Sequence, residues 1–351
     1  MSARVMAGPG RALLRRLPLA GTVLGIGLAL WLISTNDVAA IGAAFGRIGF
    51  LGLAAVVLVR VAVILLCGLA WARVLQGVVT VGSAPFVILR FVREGINVLL
   101  PVASVGGEFV GGRLLTFWGV TGTLAAASVL ADMLIQVATE MTFVVMGVLL
   151  LQKLEGEQAA SLAGWTLEVL AVAAVLLAAF FALQRSGAAR RIERRVVSWG
   201  RQVSAAPASD GCAEPGVQAA LDAVWARGRR LDLAKAFLLH LAAWCLGAAE
   251  IWIALACIGI EISVSDVIVL ESLSQAIKSA AFPVPSGLGV QEGGFVLIGA
   301  LFGIDAGTAI ALSLVKRVPD VVLGLPSLIA WQVLEARRAT VLPPTPIAGP
   351  R

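Results

Sequence analysis

Six stretches of the sequence are almost entirely apolar and long enough to cross a lipid bilayer, which takes about 20 helical residues. These stretches are 17–34, 48–71, 120–151, 162–183, 236–259 and 307–332. A soluble domain cannot bury so many apolar helices, and only 14% of the residues are charged, against the usual share of about 25%. The sequence therefore predicts an all-α integral membrane protein and excludes a soluble enzyme and a disordered chain.

The first apolar stretch, 17–34, follows a basic segment, as the core of a secretory signal peptide does. Such a core usually has about 7–15 residues and precedes a cleavage site made of small residues. This stretch is longer and no clear cleavage site follows it. We therefore expect an uncleaved first span.

Basic residues are concentrated in alternate loops, which predicts the orientation of the chain. Residues 1–16 carry four arginines and no acid, and residues 184–235 carry ten basic residues against five acids. Both termini and the 184–235 loop are therefore expected in the cytoplasm, with the chain a multi-pass protein of the bacterial inner membrane. The net charge of +6 is then a topology signal, and no nucleic-acid partner is expected. Residues 1–335 form one predicted transmembrane domain, followed by a disordered tail at 336–351.

Two further apolar stretches, 84–119 and 264–304, cannot be ordinary spans. Under this topology each begins and ends on the same side of the membrane, and each is interrupted by helix-breaking residues. The predicted breaks are Pro101, Gly106, Gly107, Pro283, Pro285, Gly287 and Gly289. Irregular backbone at membrane depth survives only against protein or a water-filled cavity. We therefore predict two re-entrant helical hairpins that enter the membrane from opposite faces.

The two broken stretches also resemble each other. Each contains Pro-Val-x-Ser, then glycines, then a glutamate, which is Glu108 in one and Glu292 in the other. We expect an inverted-topology repeat, about 17–151 and 236–332, although Pro and Gly are common enough in membrane helices for chance to produce such a match. Paired interrupted segments of this kind point to the binding site of a transporter.

Polar side chains inside the apolar stretches fall on single helix faces. An ionisable side chain at mid-bilayer costs about 2.5–3.5 kcal/mol, so it is expected to face the protein interior. Asp132, Gln136 and Glu140 are spaced at i, i+4 and i+8, so they share one face of a predicted helix. Such stripes predict a polar path for a substrate, or else helix-to-helix pairing that only sets the packing. The predicted path residues are Arg93, Glu94, Asn97, Glu108, Arg113, Asp132, Gln136, Glu140, Gln275, Lys278, Glu292, Lys316, Arg317 and Asp320.

Some of these residues also have a simpler structural explanation. Glu108 and Glu292 begin the returning helices, where the helix dipole favours an acid by about 0.3–1 kcal/mol. Alternatively, the two helix N-termini and nearby cations form a pocket for a polar or anionic group. Lys316 and Asp320 are spaced to pair with each other. The single histidine, His240, is more typical of a packing donor than of a site residue.

Recognisable catalytic and cofactor chemistry is missing from the sequence. There is no P-loop, dinucleotide fingerprint or kinase-like motif. The four cysteines show neither CxxC nor zinc spacing. We therefore expect no cofactor, no metal and no enzymatic activity.

Three segments of the broken stretches form a pattern: Arg93-Glu94-Gly95-Ile96-Asn97-Val98-Leu99-Leu100-Pro101, Gly106-Gly107-Glu108 with Arg113, and Pro283-x-Pro285-Ser286-Gly287-Leu288-Gly289-Val290-Gln291-Glu292. This pattern resembles the membrane region of the lysylphosphatidylglycerol synthases, over roughly residues 15–335. The first segment is most similar to a stand-alone branch associated with hopanoid biosynthesis. In the synthases this region acts as a lipid flippase ahead of a soluble synthase domain, for which this sequence has no room. The resemblance therefore implies lipid movement, with gating and binding roles at the hairpin positions.

The sequence thus favours a lipid transporter or flippase whose ligand is a membrane lipid, either a hopanoid or a phospholipid. The polar head would cross a groove lined by the two hairpins and the Asp132 helix while the apolar body stays in lipid. One alternative is an intramembrane lipid-modifying enzyme with Glu108, Glu292 or Asp132 as general acid or base. Another is a scaffold for lipid-synthesis enzymes. Such enzymes, or a second copy of the chain, are the expected protein partners.

Overall fold

The computed structural model describes residues 38–100, 106–153, 216–281 and 287–337, part of the stretch 161–179, and the single positions 31, 34 and 284. Three predicted helix breaks, Pro101, Pro283 and Pro285, lie outside these residues. Most of the predicted first span and almost all of the predicted tail also lie outside them.

Helices account for nearly all of the described chain. The described residues form nine α-helices: α1 (Val38–Leu75), α2 (Ser83–Leu99), α3 (Gly106–Leu115), α4 (Gly122–Leu151), α5 (Val217–Val224), α6 (Arg230–Ile258), α7 (Val264–Ala280), α8 (Val290–Gly299) and α9 (Ala306–Ala336). Helix α1 is kinked at Gly49, whose φ of +64° is not helical. Short 3₁₀ turns occur at Thr116–Trp118, Arg227–Arg229 and Ala300–Phe302. These residues contain no β-strand, so the predicted all-α class is confirmed for this part of the chain.

Three helical segments are long and apolar enough to span a membrane: Ile41–Leu75, Gly122–Leu151 and Arg227–Ile258. They contain or closely match the predicted spans 48–71, 120–151 and 236–259. Helix α9 covers the predicted span 307–332, and its 31 residues reach about 46 Å at a rise of 1.5 Å per residue. A short apolar helical segment at 164–175 lies within the predicted span 162–183. The chain is a multi-pass membrane protein, while the count of six spans stays a prediction.

The element order of α1–α4 recurs in α6–α9. In each half a long helix precedes a helix of 17 residues, a break and a helix of 10 residues. A 3₁₀ turn and another long helix follow, of 30 residues in α4 and 31 in α9. Gly119 and Gly303 take the same left-handed conformation after the turn, with φ of 82° and 70°. The matching order supports the predicted repeat, whose inversion across the membrane stays a prediction.

The first broken stretch folds into two helices, α2 and α3, that pack antiparallel. Asn97 Oδ1 accepts a hydrogen bond of 2.8 Å from the Gly107 N–H, next to the break. One turn further from the break on each helix, Arg93 lies against Gly111, where an added Cβ would be 2.6 Å from the arginine Cγ. Glycine at this position lets the two helices approach closely enough to hold the arginine between them.

The second broken stretch forms the equivalent pair, α7 and α8. Next to the break, the stem of Lys278 packs on Gly287, whose φ of +59° favours glycine. An added Cβ there would also lie 2.8 Å from Lys278 Cγ. One turn away, Ser274 lies against Gly294. Both predicted hairpins therefore consist of paired helices, while their entry from opposite membrane faces stays a prediction.

The hairpin of each half packs against the long helix of the other half. Helix α2 packs against α9, and α7 packs against α4. At the first crossing Gly95 meets Ser327, and at the second Gly147 meets Ser272, so closely that a Cβ on either glycine would overlap the serine hydroxyl. This crosswise packing brings polar residues from both halves to the centre of the molecule.

Candidate functional site

Asp132 of α4 is the centre of a buried group of charges. Its fully buried carboxylate accepts hydrogen bonds from Arg93 Nη1 at 2.9 Å and from His240 Nε2 at 3.0 Å. Arg90 lies 3.8 Å from the same carboxylate. Burial without partners would cost this ion several kcal/mol, and the two arginines and the hydrogen bond to the imidazole offset that cost. The Asp132 cluster is defined here as Arg90, Arg93, Glu94, Glu108, Asp132 and His240.

Arg93 extends the Asp132 cluster to helix α3. It forms an ion pair with Glu108, and its guanidinium lies 4.6 Å from the centroid of the Trp71 ring. Asn97 Nδ2 donates to the other oxygen of Glu108 at 3.2 Å. Glu108 therefore joins the two helices of its hairpin in addition to beginning one of them.

A second group of charges, the Lys316 cluster, is formed by Arg60, Glu250, Glu271, Lys316 and Asp320. Arg60 of α1 donates two hydrogen bonds of 2.8 Å to Glu250 of α6. Lys316 of α9 pairs with Glu271 of α7 and lies 3.7 Å from Glu250. Asp320 lies 3.8 Å from Arg60. The predicted alternative, a pair between Lys316 and Asp320, is therefore not the arrangement found among the described residues.

Glu292 of α8 connects its hairpin to α9. Its carboxylate accepts from Arg317 Nε at 2.8 Å and from Ser313 Oγ at 3.2 Å. Like Glu108, it bonds to side chains outside its own helix. A charged side chain in the middle of a membrane helix requires a partner, and Glu292 is such a partner for Arg317.

The polar stripe on α4 joins the two hairpins. Asp132 contacts the first hairpin, and Gln136 accepts a hydrogen bond of 3.0 Å from Arg90 of the same hairpin. Glu140, two turns beyond Asp132, accepts a hydrogen bond from the Ser279 hydroxyl. It also lies 3.5 Å from the amide nitrogen of Gln275, and both of these residues are on α7. The stripe therefore runs from one hairpin to the other across the interior, as its single-faced spacing indicates.

Two adjacent cavities lie among these charges. They measure about 570 and 690 Å³, counted with their open mouths, and share Arg60, Gln275 and Lys278 in their walls. Glu250 and Glu271 line the first. Arg90, Glu94, Gln136 and His240 line the second. Lys278 makes no hydrogen bond or ion pair to another described residue, which leaves its ammonium available to a ligand.

A third, smaller cavity combines charged and apolar walls. Arg60, Glu94 and Asp320 line it together with Phe91 and Leu323. It lies where α1, α2 and α9 meet, and Pro319 of α9 is also part of its wall. It measures about 230 Å³, counted with its open mouth, which is small for a ligand pocket.

The structure places one predicted path residue, Arg113, at the exposed surface. The Arg113 side chain is 56% exposed and forms an ion pair of 2.6 Å with Glu335 at the surface. Glu108 and Arg113 are five residues apart, which is roughly 140° around a helix at 100° per residue. Helical spacing therefore already separates Arg113 from the interior face that Glu108 occupies.

Several central residues were not among the predicted path residues: Arg60, Arg90, His240, Glu250 and Glu271. Arg60 and Glu250 are charged residues inside apolar spans, and that was a usable signal because such residues face the protein interior. Their partnership was not readable, since 190 residues separate them in the chain. Within the described residues, no three His, Cys, Asp or Glu side chains are placed to hold a metal ion.

Comparison with known proteins gives one match. A family model described as "Lysylphosphatidylglycerol synthase TM region" matches residues 19–326. That range contains both hairpins and all residues of the two clusters. No curated protein and no solved structure matches the chain.

Proposed function

The chain belongs to the family of lysylphosphatidylglycerol synthase transmembrane regions, and from this premise we propose that it transports a polar-headed lipid across the bacterial inner membrane. Both termini lie in the cytoplasm in this proposal, and the two hairpins enter from opposite faces. The lipid crosses without chemical change. The single observation that carries the proposal is the pair of charge-lined cavities between the hairpins.

The cavities lower the barrier that keeps lipids in one leaflet. A polar head resists crossing because its groups lose water without gaining partners. Here the walls offer cations, carboxylates and amides, with Lys278 unpaired among the described residues. Such a wall replaces the hydrogen bonds that the head gives up, so that it can cross without a nucleotide-driven step.

The third cavity is too small in this structure to hold a lipid head, but its wall has the mixed character of a lateral opening. Its charged residues, Arg60, Glu94 and Asp320, suit a polar head, and its apolar residues, Phe91 and Leu323, suit the start of an acyl or ring system. We place the lateral opening for the lipid there, between α1, α2 and α9. The apolar body then stays in the bilayer while the head follows the Asp132–Glu140 stripe.

Two lipid classes are proposed as the substrate, a phospholipid and a hopanoid. The phosphate of a phospholipid head would bind Lys278, because a lysine ammonium is a compact positive charge that suits a phosphate. A hopanoid with a polyol side chain instead uses the amides and carboxylates of the wall. The likeness to the hopanoid-associated branch favours the second class.

Transport by the purified protein tests the proposal. Proteoliposomes made from bacterial total lipid would carry a trace of fluorescent phospholipid or hopanoid, and leaflet-selective quenching would report its movement. We expect Asp132→Asn, Glu140→Gln and Lys278→Ala to slow transport about tenfold each, equivalent to about 1.4 kcal/mol. Thr142→Val is the control on the same helix, because the exposed threonine hydroxyl bonds only to its own helix backbone.

Two outcomes would contradict the proposal. Full transport by all three variants would show that the lipid head does not pass through these cavities. A chemically altered lipid produced by the purified protein would point to an intramembrane enzyme instead. Leaflet-resolved lipid analysis of a deletion strain, with total lipid measured in parallel, distinguishes a trapped lipid from a missing one.

A further inference from the structure

His240 occupies an unusual place for the single histidine of a chain of 351 residues. It is buried in the middle of α6, where its Nε2 is 3.0 Å from Asp132 Oδ1. It also lines the larger of the two charged cavities. The imidazole is thus in contact with a buried ion on one side and with the proposed substrate space on the other.

The charged and titratable groups around His240 come from five helices. They are Arg60 and Cys67 of α1, Arg90, Arg93 and Glu94 of α2, Glu108 of α3, Asp132 of α4, and Lys278 of α7. Of these, Asp132 and Cys67 bond to the imidazole directly, and Arg93 shares the Asp132 carboxylate. Any change in the proton on His240 therefore acts first on the contacts of α6 with α1, α2 and α4.

Within the Asp132 cluster, two arginines face three carboxylates, of which Glu94 is 30% exposed. Taken alone, the cluster has one net negative charge if the imidazole is neutral and none if it is protonated. The Lys316 cluster has the same composition, with two cations and three carboxylates. Lys278 lines both cavities, so its charge belongs to neither cluster alone.

We propose that His240 is a proton-binding site that couples lipid transport to proton movement. The inference rests on the transport function proposed above and names its coupling ion. When the imidazolium donates to Asp132, the cluster is neutral and holds α2, α4 and α6 together. When the ring releases that proton to water in the cavity, an uncompensated negative charge remains among buried groups, which is unfavourable. The open arrangement of the hairpin, in which water or a lipid head reaches Asp132, is then favoured.

Linkage makes this a coupling mechanism. A ligand shifts a conformational equilibrium only by its differential affinity for the two states, and the effect is reciprocal. The proton binds more tightly to the closed arrangement, and the lipid head binds more tightly to the open one. Binding of either therefore weakens binding of the other, so that movement of protons can drive movement of lipid. A gradient of one pH unit can bias such a one-proton step by at most about tenfold.

Proteoliposomes with an imposed pH gradient test the coupling. Vesicles of phosphatidylethanolamine and phosphatidylglycerol would contain fluorescent phosphatidylglycerol as the probe and a pH-sensitive dye in the lumen. We expect the gradient to accelerate probe movement by the wild-type protein several-fold, and lipid movement to change the luminal pH. In His240→Gln the ratio of rates with and without the gradient should fall to one. Cys245→Ala, an exposed position on the same helix, should keep the wild-type ratio.

Each result is distinguishable from failure of the transport proposal. Probe movement by the wild type that ignores the gradient, or an unchanged gradient response in His240→Gln, would overturn the coupling and leave transport intact. If the variant fails to fold, the ring of the single histidine can be followed by NMR in the wild type. We expect its proton occupancy at fixed pH to fall when the lipid probe is added. An occupancy that does not change with the probe would overturn the inference.

Discussion

The two halves of the molecule carry the same helices but opposite charges at matching positions. Arg90 is the eighth residue of α2 and Glu271 the eighth of α7. Asp132 is the eleventh residue of α4 and Lys316 the eleventh of α9. Each hairpin residue faces the long-helix residue of its own half, Arg90 with Asp132 at 3.8 Å and Glu271 with Lys316. The framework therefore fixes where two charges meet, and pairing requires only that their signs differ.

A third matching pair keeps its sign. Glu108 and Glu292 are both the third residue of the returning helix, but their arginine partners differ in origin. Arg93 reaches Glu108 from within the hairpin, and Arg317 reaches Glu292 from the long helix. The first half therefore holds its arginine inside the hairpin, and the second half holds it outside. The first hairpin should depend more strongly on its buried ion pairs.

The largest effect is expected from removing the buried arginine of the first half. Arg93→Met leaves both Asp132 and Glu108 short of a partner and should destabilise the protein by about 3–5 kcal/mol. Arg317→Met should cost less, because that arginine side chain is 18% exposed and the Arg93 side chain is 1% exposed. Thermal unfolding of the purified proteins in detergent measures both, with the exposed Arg113→Met as control. Equal losses at Arg93 and Arg317 would contradict the comparison.

Exchanging the charges of Glu271 and Lys316 tests whether the pair is stabilising in either order of positive and negative charge. Glu271→Lys should destabilise the protein because it places a cation against Lys316, and Lys316→Glu should do so because it crowds three carboxylates. The double variant restores opposite signs, so a double-mutant cycle should show a favourable coupling of about 1–3 kcal/mol. Unfolding in denaturant gives the four stabilities. Additive single effects would show that the position, and not the pairing, determines stability.

The two helix crossings are expected to respond alike. Gly95→Ala and Gly147→Ala each place a methyl group against a serine hydroxyl, and such overpacking costs about 1–3 kcal/mol. Ser327→Ala should partly rescue the first variant, and Ser272→Ala the second, because each removes the overlapping oxygen. Melting temperatures of the single and double variants report the effect. A rescue at one crossing alone would show that the halves pack differently.

The smallest difference is expected at the starts of the two long helices. Thr121 caps α4 and Asp305 caps α9, and alanine at either position should cost about 1 kcal/mol. Hydrogen bonds from the Thr308 hydroxyl and N–H hold the pKa of the Asp305 carboxyl below its ordinary value. Its contribution is therefore present near neutral pH and is lost as the pH falls below the ordinary range for aspartate.

Unfolding of Asp305→Ala at neutral and acidic pH tests this last prediction, with Thr121→Ala as the matched variant. The cost of the Asp305 change should shrink in acid, while the cost of the Thr121 change should not. If both variants show the same pH dependence, that dependence comes from other groups in the protein and not from Asp305.

Part of this arrangement was predictable from the sequence. Features set by local spacing were readable, whereas contacts between distant segments were not. Helical periodicity placed Asp132, Gln136 and Glu140 on one face, and the structure puts that face inside. Gly287 and Gly289, predicted as breaks, take positive φ between α7 and α8. Gly106 and Gly107, also predicted as breaks, are instead the first two residues of α3. The pair of Arg60 and Glu250 was not predictable, since it depends on how two distant spans pack. For His240, residue type alone could not distinguish a packing donor from a partner of Asp132.

The crosswise packing of each hairpin on the opposite half also bears on how the protein is made. When α2 and α3 leave the ribosome, the helix against which α2 packs, α9, has not been synthesised. The ion pair of Arg113 with Glu335 closes over 222 residues, and that of Arg60 with Glu250 over 190. The first hairpin therefore gains its native contacts with α9 only after the end of the chain has been synthesised. Two halves produced as separate polypeptides should be degraded when expressed singly and should accumulate together as a complex.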